Sequence, residues 1–81
     1  MSNMQRQEIP IEIIGDTLQQ LVKACKAGDP AIESIRCAYT IKDDPLIYMY
    51  NVFDLIDNLV KNPLDLNTVE KFYIYRPLNK S

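Results

Sequence analysis

Two apolar stripes run side by side through the longest periodic stretch of the chain, PLIYMYNVFDLIDNLVKN. Tyr48, Val52, Leu55 and Leu59 form one stripe, and Met49, Phe53, Ile56 and Val60 form its neighbour. Asn51, Asp54, Asn58 and Lys61 fall on the opposite side. Adjacent stripes at helical spacing predict a broad buried face, so this segment reads as the central helix, over 45–61, with Phe53 in the core. Asp44 followed by Pro45 supplies its start, and Asn62 with Pro63 its end.

Upstream, DTLQQLVKACKAG carries Leu18, Leu21, Val22 and Cys25 on one stripe, with Asp16 as a cap and Gly28 as a stop. It predicts a helix over 16–27. A second Asp-Pro, Asp29–Pro30, opens DPAIESIRCAYTIKDD. Ile32, Ile35 and Tyr39 fit a helical face there, while Ile35, Cys37, Tyr39 and Ile41 also alternate as a strand would. The start signal favours a helix over 30–41. Short strands are expected near 9–14, where EIPIEII alternates beside an edge-demoting Pro10, and near 70–76, in EKFYIYR. Residues 1–8 are polar and unpatterned, a flexible tail ahead of a single small domain over 9–81. The resulting plan is α+β and mostly helical, with three helices. A second plan takes SIRCAYTI and LIYMY as strands and gives β-α-β-β-α-β, the ferredoxin-like order.

Composition removes several functions. Nine basic residues are scattered against eleven acidic ones, with no cluster to displace counterions, which argues against nucleic acid. No apolar run approaches the ~20 residues that span a bilayer. The start, MSNMQRQEIP, lacks a signal-peptide pattern, and two cysteines form no disulfide framework, so a reducing cytoplasm or nucleus is expected. The chain has no histidine, which excludes Ser–His and Cys–His nucleophiles and argues against zinc. With only Gly15 and Gly28, there is no glycine-rich phosphate loop. Asp43 and Asp44 precede a proline and read as capping residues rather than an acid–base pair. Neither an enzyme nor a cofactor is expected.

The segments DNLVKNP and EKFYIYRPLN are similar to the PUB (or PUG) domain of peptide N-glycanase and UBX-domain cofactors. The family ends a helix in Asp-Asn, two apolar residues and Asn-Pro, matched here by Asp57, Asn58, Asn62 and Pro63. Its Glu-Lys-Tyr-Arg stretch is matched by Glu70 and Lys71, with Phe72 for the tyrosine and Tyr73 for the arginine, and Arg76 and Asn79 recur beyond it. DPAIESIRCAYTIKDD resembles the helix that precedes the core in UBX-type members, so the likeness runs from Asp29 to Asn79. It implies a module that holds the extended C-terminal tail of the valosin-containing AAA ATPase. Asn58, Lys71, Phe72 and Arg76 would then be the partner-binding residues, an amide and cations for the peptide and an aromatic for an apolar side chain. Each also has a structural reading: Phe72 as core, Asn58 as a helix-end polar group, and Lys71 with Arg76 as edge-strand charges.

Two functions follow from these plans. The first is a non-catalytic intracellular protein-interaction module; the second is a homodimeric regulatory or ligand-binding subunit of ferredoxin-like fold. Self-association or a protein partner is expected in either case. So small a domain buries only ~60% of its unfolded surface, and the final strand carries Tyr73 and Tyr75 opposite Phe72 and Ile74.

Overall fold

The computed structural model describes residues 4–77. Within them β1 (Met4–Glu8) leads through a 3₁₀ turn at Ile11–Ile13 into α1 (Ile14–Ala27). A second 3₁₀ turn, Pro30–Ser34, feeds the hairpin of β2 (Arg36–Ile41) and β3 (Ile47–Asn51). α2 (Val52–Lys61) follows β3 directly, and β4 (Val69–Pro77) closes the chain order. The strands form one antiparallel sheet in the order β1-β4-β2-β3.

Local chemistry explains the boundaries. Gly28 adopts a left-handed φ of 73°. Its N–H bonds the Cys25 carbonyl at 3.1 Å while Asp29 N–H bonds that of Ala24 at 3.1 Å, the paired pattern that ends α1. Asp29 does cap, accepting from Ala31 N–H at 2.9 Å, but it starts only the 3₁₀ turn. Asn51 caps α2: its side chain accepts from Asp54 N–H at 2.8 Å and donates to the Asp54 carboxylate at 3.0 Å. That reciprocal pair is why the helix begins at Val52.

The mostly helical plan is therefore corrected. Among the described residues there are two α-helices, not three, beside a four-stranded sheet. The segment 30–41 gives one 3₁₀ turn and then β2, because the alternating Cys37, Tyr39 and Ile41 pack on the sheet rather than along a helix. The segment 45–61 divides at Asn51 into β3 and α2. The strand expected at 9–14 is replaced by the 3₁₀ turn and the start of α1, while Met4–Glu8, read as tail, is a strand. Residues 1–3 lie outside the described residues. The chain order of elements is β-α-β-β-α-β, yet the sheet is not ferredoxin-like, a plan that places the first and third strands centrally. Here β4 and β2 are central, and β1 and β3 are the edges. β4 is the longest strand, with nine residues, and it pairs with β1 on one side and β2 on the other.

One core cluster joins both helices to one face of the sheet. Ile14 and Leu21 of α1 and Val52 and Leu55 of α2 meet Cys37, Tyr39, Phe72 and Ile74. Phe53 is not among them: it is exposed on the flank of α2, one position off the core stripe of Val52 and Leu55.

Candidate functional site

Because strand side chains alternate, the face opposite the helices can be read from the register. It carries Lys71, Tyr73 and Tyr75 of β4, Arg36, Ala38 and Thr40 of β2, and Ile47 and Met49 of β3, with Met4, Arg6 and Glu8 at the far edge. Ala38 is buried although no helix covers it, since its register neighbours Tyr73 and Met49 close over a side chain so small. The Arg6 guanidinium lies 4.9 Å from the centre of the Tyr73 ring, a cation–π contact that occupies the β1 side of this face. Thr40 Oγ1 is buried without a hydrogen-bond partner beside the irregularity where β2 shifts register against β4.

The two edges differ in chemistry. β1 is MQRQE, polar and charged, as protected edges usually are. β3 is IYMYN, without a charge, a proline or a bulge. Among the described residues, four of the eight exposed large hydrophobics lie between Leu46 and Phe53. Leu46, Ile47, Met49 and Phe53 are 58, 69, 57 and 50% exposed. An edge strand keeps one row of backbone N–H and C=O groups outside the sheet, and here apolar side chains flank that row.

On the helix-facing side β3 ends a row of aromatic rings. Tyr39 stacks on Phe72 (6.3 Å, 4°), Tyr48 (5.3 Å, 19°) and Tyr50 (6.2 Å, 18°). The Tyr48 hydroxyl donates to Asp44 Oδ2 at 2.7 Å, and Leu46 N–H donates to Asp44 Oδ1 at 2.9 Å. Those two bonds, the backbone one first, hold the Asp44 carboxyl below its ordinary value, and the same contact raises Tyr48. Burial pushes the Cys37 thiol from 9.0 up to about 11, against a smaller opposing pull from the Arg76 charge. Burial, then neighbouring Tyr50 and Tyr48, pushes Tyr39 from 10.0 up to about 12.

These raised values fix the sign of an alkaline transition. Both groups are held protonated in the fold, so their contribution is complete below the unfolded values and is lost as pH rises through the folded ones. Urea midpoints should stay level up to pH 9.0 and fall between there and about 12. In Cys37→Ala the part of the fall below about 11 should shrink. A midpoint that is level to pH 12 would contradict burial of this layer.

The four residues singled out from the sequence are not gathered at one place. Phe72 is fully buried beneath the helices, and Lys71, its neighbour, projects from the opposite face. Arg76 shares the Phe72 side but lies four residues on, roughly 13 Å along the strand. There it donates to Gln7 Oε1 at 3.0 Å and lines a cleft of about 330 Å³ with Asp16, Thr17 and Gln20 of α1. Asn58 is half-buried on α2, and its carbonyl accepts from Asn62 N–H at 2.7 Å. Asn79 lies outside the described residues. Sequence reasoning missed Ile47 and Met49 as surface residues because it placed them on a helix; the alternation of LIYMY and the Asn51–Asp54 capping pair were the available signals.

Among the described residues no three His, Cys, Asp or Glu side chains converge as a metal site, and no helix is long and apolar enough to cross a membrane. Compared with known proteins, the chain matches no family model, no curated sequence and no solved structure.

Proposed function

We propose that this chain is a non-catalytic protein-interaction module that docks through edge strand β3 and the apolar side chains flanking it. The observation that carries this is the contrast between the two edges: β1 is charged, whereas β3 is uncharged and concentrates the exposed apolar side chains. Covering Leu46, Ile47, Met49 and Phe53 would contribute roughly 1–2 kcal/mol each, since each is about half exposed. Association itself costs ~4–15 kcal/mol. Those four side chains together reach only the lower part of that cost, so the free N–H and C=O groups of the β3 edge would add to what holds a partner. That favours addition of a strand over simple contact between surfaces. A PUB-type peptide groove is a weaker form of the same idea, because Phe72 is core and Lys71 and Phe72 face opposite ways.

A photo-reactive amino acid placed at position 47 should form a covalent adduct with a protein in extracts of cells that express the chain. The same group at Gln5, on the charged edge, should not. Equal yields at the two positions, or no adduct at 47, would refute β3 as the docking edge.

A further inference from the structure

We propose that the partner of β3 is β3 of a second copy, paired antiparallel about Met49 so that two four-stranded sheets join into one of eight. This rests on β3 being the docking edge and names its occupant. The strand reads nearly alike in both directions, Ile47-Tyr48-Met49-Tyr50-Asn51. With Met49 on the two-fold axis, Tyr48 of each copy lies opposite Tyr50 of the other, and Ile47 lies opposite Asn51. A two-fold contact has to be self-complementary in this way.

The aromatic row supplies a second reason. It runs from Phe72 through Tyr39 to Tyr48 and Tyr50, and then stops at the sheet edge with both outer tyrosines only half-buried. Pairing of Tyr48 with Tyr50 across the axis continues that row, and opposed aromatic residues are among the favourable cross-strand pairs. Charge gives the third reason. No charged side chain lies in Ile47–Asn51, so self-pairing sets no like charges against each other. β1 cannot do the same: an antiparallel pair about its centre would oppose Arg6 to Arg6.

The test uses the full chain. Sedimentation at tens of micromolar should give a mass twice that of one chain. Met49→Lys, which sets two charges face to face on the axis, should halve that mass while the far-UV circular dichroism stays the same. In a Cys25→Ser background, Met49→Cys should oxidise to a cross-linked dimer. Ile47→Cys should not, because the two copies of that position lie roughly 13 Å apart along the paired strands. A monomeric wild type, or cross-linking as efficient at 47 as at 49, would overturn self-pairing. If the wild type is monomeric and the photo-adduct at 47 has the mass of a different protein, the docking edge stands and only the second copy is wrong. If neither dimer nor adduct forms, the docking edge fails with it.

Discussion

Phe72→Ala is expected to lower the unfolding free energy by ~3–5 kcal/mol, the usual cost of emptying a buried aromatic site. Phe72 is fully buried on β4, a central strand. It stacks on Tyr39 with an interplanar angle of 4°, and its carbonyl accepts from Ile9 N–H at 2.8 Å. Removing the ring takes a partner from the aromatic row and leaves a void beneath both helices. Domains have ~5–15 kcal/mol of stability in total, so the variant should melt well over ten degrees lower or fail to fold at 25 °C. Thermal melts followed at 222 nm would measure this. The same variant separates two roles for the residue. A groove aromatic would lose peptide binding with the melting temperature unchanged, and that result would put Phe72 on the surface.

How much of this was legible in the sequence depended on whether two periods could be told apart. α1 was legible because Leu18, Leu21, Val22 and Cys25 repeat only at helical spacing, and Gly28 gives an unambiguous stop. The stretch around β3 was not. Tyr48 and Val52 are four apart, a spacing that a period of two and a period of 3.6 both allow, so the helical stripe ran backwards across a strand. The run Ile47-Tyr48-Met49-Tyr50 is rich in residues that favour strands, and weighting that preference would have moved the boundary. β1 had no apolar signal to give. Its helix-facing positions, Gln5 and Gln7, are polar, and the strand is positioned by its backbone register with β4. The two-faced character of β4 was legible from alternation alone, Phe72 and Ile74 against Tyr73 and Tyr75. The place of β3 at the rim was not, because which strand lies at the edge of a sheet is set by pairing between distant segments, not by any one segment's pattern.

The register of α2 gives the second large effect. Leu55→Ala should cost ~2–5 kcal/mol, the range for a buried leucine, whereas Phe53→Ala should leave the melting temperature nearly where it was. Leu55 is fully buried in the common core, and Val52 lies one turn before it on the same stripe. Phe53 is turned about 100° from Val52 by the helix geometry, which takes it out of the core and leaves it half exposed. Hydrophobicity alone would rank the two substitutions the other way, since phenylalanine is the larger side chain. Chemical denaturation of the two variants in parallel decides it: a larger loss in Phe53→Ala than in Leu55→Ala would mean that α2 is rotated by one position. The exposed face of β3 would change with it, because Asn51, which caps α2, is also the last residue of β3. A helix turned by one residue would change which of Ile47, Tyr48, Met49 and Tyr50 meet solvent. The same pair of melts therefore tests the core and the surface on which a partner strand would add.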